Sequence, residues 1–293
     1  MGRVLVCGLA TVDIVQTVEH LPSPNEKVVA LTTRIDAGGP ALNAALTAAH
    51  LGSDVTLVTA VGTGGLGPVI TTTLADHGVH LIDRAPAGFM PPVSTVLITR
   101  ATGERAVISR NALGTTGYRA TPTVDDALRG CDAVLVDGHH LPLGLEVATA
   151  GRAHGIPVIL DGGSWKPGLE ALLALTDLAV VSADFTAPEG PQLDDLLALG
   201  PRWVARSHGG DPLSWRSADG SCGSVTPPPV TVVDTLGAGD VLHGGFVHHL
   251  ASGERPDVAL MSAVMLASIS TTHPGRLRSH PSPTARTVPC EGD

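Results

Sequence analysis

Lysine is almost absent from this chain of 293 residues: only Lys27 and Lys166 occur, and acidic residues outnumber Lys and Arg 28 to 18, for a formal net charge of −10. A surface of that sign has no general attraction for nucleic acid or for a phospholipid surface. Any phosphate the protein handles must therefore be held locally. Aromatic residues make up 2% of the chain and Tyr118 is its single tyrosine. Platforms for stacking nucleobases are scarce, and the interior must be filled by Ala, Val, Leu and Ile. The four cysteines, Cys7, Cys131, Cys222 and Cys290, form no Cys-x-x-Cys pair, which excludes a zinc knuckle or redox dithiol and leaves small hydrophobes in a reducing cytosol. No apolar run is long enough for a bilayer span, and no signal-type segment precedes the first strand, Arg3-Val4-Leu5-Val6-Cys7. The expectation is a cytoplasmic protein with neither nucleic acid nor membrane as a partner.

What is present is a rhythm. Hydrophobic residues are 43% of the chain, and short β-type runs at 55–61, 131–137, 156–161, 178–182 and 203–206 alternate with Ala/Leu-rich stretches of helical length. Strand then helix, repeated, means a parallel sheet covered on both faces. Pro40 suits a first helical position with Gly52 closing that helix, and a second helix over 66–77 stops at Gly78. Two segments break the rhythm: 14–19 with 28–35, and 93–99 with 104–109 around a Thr102-Gly103 turn. With no helix between their strands, they predict a small separate sheet that acts as a lid over a site, with an ordinary edge extension of the main sheet as the alternative. Pro227-Pro228-Pro229 reads as a stiff connector into a strand, and the Pro/Ser/Thr-rich stretch 280–293 as a surface tail.

The strongest motif is Val232-Val233-Asp234-Thr235-Leu236-Gly237-Ala238-Gly239-Asp240, which runs into a helical sequence. Strand, glycine turn and helix N-terminus together make a phosphate cradle that needs no lysine. Asp240 at that helix start would serve either as an ordinary helix cap or as a general base for a hydroxyl attacking a γ-phosphate. The Gly-Lys-Ser/Thr ending of a Walker A loop is missing. A second motif, Gly38-Gly39-Pro40-Ala41-Leu42-Asn43, opens a helix and offers Asn43 as both donor and acceptor to a polyhydroxylated ligand. The third, Gly8-Leu9-Ala10-Thr11-Val12-Asp13, follows the first strand, where Asp13 could grip a pair of sugar hydroxyls. It lacks the glycines of a dinucleotide fingerprint. The histidine pairs His139-His140 and His248-His249 lack the spacing of a metal helix and read as structural or surface residues.

These stretches, in this order, resemble the PfkB/ribokinase family of carbohydrate kinases, with Gly8-x-x-x-x-Asp13 and the Pro-rich run into the last motif nearest to the ketohexokinase branch. The resemblance implies an α/β protein with a three-layer α/β/α ribokinase-like fold, a mostly parallel central sheet and a small β-sheet lid. It implies one kinase domain over 1–293, with lid strands near 14–36 and 93–109. ATP is the implied phosphoryl donor, with Mg²⁺ bridging its phosphates and K⁺ held near Asp234 and Thr235. By the same resemblance Asp240 is the catalytic base, Gly237, Ala238 and Gly239 form the anion hole, and Asp13, Gly38, Gly39 and Asn43 bind the sugar. Arg105 matches a lid arginine that reaches the transferred phosphate, with a solvated hairpin arginine as the alternative. Ser207 and Gly209 match the nucleotide-binding strand end, although Pro212 stands where the family has a second glycine. The family's Asn-x-x-Glu is replaced by Val181-Ser182-Ala183-Asp184-Phe185, so Asp184, Asp137 or Asp161 would hold the metal's waters, or serve as strand-end caps. Lys166 falls on the phosphate side. The function implied is transfer of the γ-phosphate to a hydroxyl of a ribose- or fructose-like sugar. A nucleoside kinase of the same family and a catalytically silent sensor are the alternatives. Ile14, Val29, Leu31 and Ile35 on the lid suit a homodimer formed through that sheet.

Overall fold

The sequence Arg-Val-Leu-Val-Cys forms β1 (Arg3–Cys7), whose last four side chains are all buried. Val4 and Val6 enter one apolar cluster while Leu5 and Cys7 enter another, as the period of two in a strand requires of a sheet covered on both faces. The computed structural model describes residues 1–112, 115–118, 123–190 and 192–273 and the backbone of Val288–Pro289. After β1 come β2 (Thr11–Val18), β3 (Thr32–Gly38), α1 (Pro40–His50), β4 (Asp54–Thr59), α2 (Gly67–Asp76) and β5 (His80–Asp83). The hairpin β6 (Val93–Thr99) and β7 (Arg105–Ser109) follows, then α3 (Thr123–Leu128), β8 (Ala133–Val136), α4 (Leu141–Ala153), β9 (Val158–Gly162), α5 (Leu169–Leu173) and β10 (Leu178–Val181). The chain continues through α6 (Leu193–Ala198), β11 (Trp203–His208), β12 (Asp211–Ser217), β13 (Cys222–Val225), α7 (Ala238–Ala251), α8 (Pro256–Ser270) and β14 (Val288–Pro289).

The main sheet has the order β14-β13-β12-β11-β10-β9-β8-β1-β4-β5. From β11 to β5 every neighbouring pair is parallel, and β12, β13 and β14 extend it antiparallel. One face packs Leu42, Phe246 and Leu260 from α1, α7 and α8, and the other packs Leu143, Val147 and Leu172 from α4 and α5. Each such side chain contributes about 1.5–3 kcal/mol when withdrawn from water. Three of the few aromatic rings stack together: Trp203 lies on Trp215 with centroids 5.9 Å apart and on Phe246 at 5.5 Å. This is the expected three-layer arrangement.

The two helix-free segments join into one four-stranded sheet, β3-β2-β6-β7, in which β2 and β6 run parallel. One face carries Asp13, Val15, Ser94 and Val96, all buried; the other carries Ile35 and Ile108, 53% and 73% exposed. Three expectations need correcting. The strand placed at 28–35 lies at Thr32–Gly38 instead, because its pairing with β2 runs from Thr17–Thr32 to Thr11–Gly38. No strand precedes Asp234: the N–H groups of Val233 and Asp234 are bonded by the Thr271 carbonyl at the end of α8, at 2.7 and 3.0 Å, so helix, not sheet, supports that loop. The β12–β13 hairpin fell in a stretch given no elements, and Pro212 is tolerated in β12 because it sits beside a register shift opposite 206–208. The surface-tail expectation for 280–293 lies outside the described residues, except that Val288–Pro289 pairs with β13. Among the described residues no helix is long and apolar enough to cross a membrane.

Candidate active site

α1 begins at Pro40 because Gly39, at φ 99°, turns the chain into it. A side chain at Gly39 would run into the Leu9 carbonyl that follows β1, so the Gly-Gly turn and the β1 end are held in contact. One turn into α1, Asn43 is 6% exposed. Its Nδ2 donates to Asp240 Oδ2 at 2.5 Å across 197 residues of sequence, while its Oδ1 is buried and has no hydrogen-bond partner. A buried acceptor left unmade costs about 1–3 kcal/mol. A hydroxyl of a bound ligand would supply the missing donor.

α7 starts the same way. Gly237, in left-handed conformation with φ 80°, is its N-cap, and Asp240 lies in its first turn. The space beside Gly239 is open. Among the described residues the N–H groups of Gly237 and Gly239 take no backbone acceptor, whereas that of Ala238 donates to the Thr235 carbonyl at 3.2 Å. Ala238 thus bonds within the turn, while its two glycine neighbours have no backbone acceptor there. Asp234 Oδ1 accepts the Leu236 N–H at 2.8 Å, stiffening the loop. From the lid, Arg105 Nη1 donates to Thr235 Oγ1 at 3.1 Å, so the lid arginine does reach the rim of this loop.

Asp13 is on β2, within the lid sheet, and not on the turn after β1. It is buried, and its Oδ1 accepts from Thr11 Oγ1 at 2.7 Å. A cavity of about 750 Å³ opens beside Asn43, Gly237 and the lid residues Arg34 and Asp36. On the opposite flank, Asp137 is buried with both carboxylate oxygens on backbone: Oδ2 takes the Leu9 N–H at 2.7 Å and Oδ1 the His139 N–H at 2.9 Å. Asp137 thus caps the strand end. Asp161 at the end of β9 is buried, which pushes its carboxyl up to about 7 against the opposing pull of His243, with Asp240 and Asp137 pushing the same way as burial. Burial lowers Lys166, which interacts with Asp137 and Asp161, so the second lysine does belong to this cluster. Asp184 is exposed beyond β10. Ser207 and Gly209 follow one another at the end of β11, Gly209 in the turn at φ 63°.

Two residues here escaped the sequence reading. His139, in a pair read as structural or surface, is lowered by burial and feels Asp137, Lys166 and Asp240 together; it is at the site. His243, 6% exposed on α7, has its ring against Asp161 at 3.3 Å. Its three-residue spacing from Asp240 on one helix was the available signal. Among the described residues no group of three His, Cys, Asp or Glu is placed to hold a metal ion. Mg²⁺ carried on polyphosphate keeps most of its waters and needs one or two carboxylates; the Asp161 and Asp240 pair, within electrostatic reach of each other, fits that demand.

An open α/β sheet, a β-lid and a glycine-capped helix bearing a carboxylate beside an uncommitted pair of N–H groups are the parts of a phosphotransferase that acts on sugar hydroxyls. The profile of the pfkB family carbohydrate kinases matches residues 1–283, and the chain belongs to that family. It is 28% identical over 283 residues to a ribokinase of Bacillus subtilis, covering 92% of this chain and 93% of that one. It is 25% identical over 308 residues to a deoxyribokinase of Salmonella typhi, covering 95% of each. In fold it is similar to Arabidopsis thaliana ribokinase complexed with ribose and ATP, at TM-score 0.79, 22% identity and 94% coverage of both chains. It is also similar to ribokinase from Giardia lamblia, at TM-score 0.81, 16% identity and coverage of 94% and 96%. The protein is an ATP-using carbohydrate kinase, a phosphotransferase with an alcohol acceptor.

Proposed function

We propose that the protein phosphorylates a hydroxyl of a small pentose-like sugar, with Asp240 as the general base. The observation that carries this is the Asn43–Asp240 contact. It brings the two glycine motifs to one point, with an unpartnered Asn43 oxygen beside the proposed base. The sugar is held by Asp13 from the lid side and by the Gly38-Gly39 turn and Asn43 from the helix side. Asp240 takes the hydroxyl proton as that oxygen attacks the γ-phosphate. The N–H groups of Gly237 and Gly239, with the α7 dipole, receive the charge on the phosphoryl oxygens. Arg105 approaches from the lid, and Ser207 and Gly209 border the nucleotide. Asp161 and Asp240 would face Mg²⁺ carried on the polyphosphate, with the exposed Asp184 towards its waters, and the ion would supply neutralisation of the phosphate charge; the Asp234-Thr235 loop would hold K⁺. The ribokinase and deoxyribokinase relatives favour a pentose over a hexose, and a chain with 2% aromatic residues has few rings to stack on a base. The chain acts as one kinase domain in the cytoplasm, paired with a second copy through the exposed lid face of Ile35 and Ile108.

The experiment is ATP consumption over a panel of ribose, deoxyribose, fructose and adenosine, with K⁺ exchanged for Na⁺ in parallel. Turnover confined to the pentoses and raised by K⁺ is the expected result. Preference for adenosine would replace the sugar reading with a nucleoside kinase.

A further inference from the structure

His243 is buried one turn after the base, and its ring contacts are unusual for a histidine in a helix. Nδ1 is 2.7 Å from the carbonyl oxygen of Gly239, and Nε2 is 3.0 Å from the carbonyl oxygen of Val180 on β10. Carbonyl oxygens only accept, so each contact is made by a ring nitrogen facing an acceptor. Asp161 Oδ2 is 3.3 Å from Nδ1, with both side chains less than one-tenth exposed.

The ring thus ties three segments together: β9 through Asp161, β10 through Val180, and the first turn of α7 through Gly239. The Gly239 carbonyl and the Asp240 N–H belong to one planar peptide. Holding the oxygen fixes the direction of that N–H, which in a first helical turn points out of the N-terminus towards any anion there. The same peptide carries the Asp240 Cα, so its orientation also sets where the carboxylate lies against Asn43.

We propose that His243 is a positioning residue for phosphoryl transfer: its buried ring, set against Asp161, Val180 and the Gly239 carbonyl, clamps the Gly239–Asp240 peptide to the ends of β9 and β10. The proposal rests on the reading of Asp240 as the base.

The test uses the full chain with His243→Asn, His243→Leu, Asp161→Asn and Asp240→Asn, alone and in combination. With the clamp gone, kcat per folded molecule falls about 10²-fold, the loss expected when reacting groups are misplaced by an ångström, while KM for the sugar stays unchanged. His243→Leu added to Asp240→Asn then costs little more, because both remove the same step. A merely structural histidine gives the other pattern: a lower melting temperature, kcat per folded molecule unchanged, and losses that multiply with Asp240→Asn. That pattern overturns the proposal. If Asp240→Asn turns over normally, the base reading fails and the proposal fails with it. That outcome is distinct from failure of His243 alone, where Asp240→Asn is inactive and the His243 variants are fully active.

Discussion

Replacing Asp240 by Asn removes one negative charge and one proton acceptor while keeping the side chain's size. Loss of a positioned general base costs roughly 10²–10⁴ in rate, or about 3–5 kcal/mol of barrier. Stability should change little. The Asn43 Nδ2 that now meets Asp240 Oδ2 can still donate to an amide oxygen, so only the charge assistance of that bond is lost, about 1 kcal/mol. Part of this is returned, because Asp240 is one of the charges that push Asp161 upward. Nucleotide binding should hold or tighten, since a carboxylate beside the polyphosphate is gone. The assay is steady-state turnover with the accepted sugar, paired with calorimetric titration of ATP in the absence of turnover. Turnover above about a tenth of the parent rate is outside the range for loss of a base and would refute the assignment. Loss of turnover together with loss of ATP binding would instead mean that Asp240 holds the α7 turn in shape.

Two further outcomes can be checked. His140 is buried, and burial lowers it from 6.5 to about 4. The folded state therefore keeps it neutral while the unfolded chain is protonated below 6.5. Its contribution is fully present above 6.5 and is lost as pH falls towards 4, by about 3 kcal/mol at the limit; urea midpoints from pH 7 to 4.5 should fall more steeply in the parent than in His140→Gln, and parallel slopes would count against it. In the lid, Ile35 and Ile108 are exposed apolar residues on the outer face of β3 and β7, so Ile35→Asp with Ile108→Asp should convert a dimer to a monomer in size-exclusion chromatography with light scattering; an unchanged mass would place any dimer elsewhere.

Much of the fold was legible because its signals are local. Runs such as Arg3–Cys7 are apolar at every buried position, and Pro40 and Gly52 bracket α1. The β12–β13 hairpin was not legible: its Ser-, Arg- and Gly-containing strands are partly exposed and carry no continuous apolar run. The Val232-Val233 stretch looked like a strand because β-branched residues favour extended backbone, yet both are more than half exposed, and the pairing they find is with the end of a helix. At the site, the glycine turns and Asp240 were visible as motifs. The bond from the Ala238 N–H to the Thr235 carbonyl was not legible, because it is set by the turn geometry. His139 and His243 were overlooked because their significance depends on which strand ends lie beside them, and spacing along the chain does not encode that.

The parallel pairing of β2 with β6 makes Asp13, near the root of the lid, and Arg105, on its far hairpin, parts of one body, while Asn43 and Asp240 belong to the other. A ligand that bridges Asp13 and Asn43 is therefore also a strut between two sheets. Its apparent affinity includes the free energy of bringing those sheets together, so a substitution far out on the lid can change the measured affinity for a sugar it never touches. Preference among sugars and the stiffness of the lid are, in such a molecule, adjusted by the same mutations.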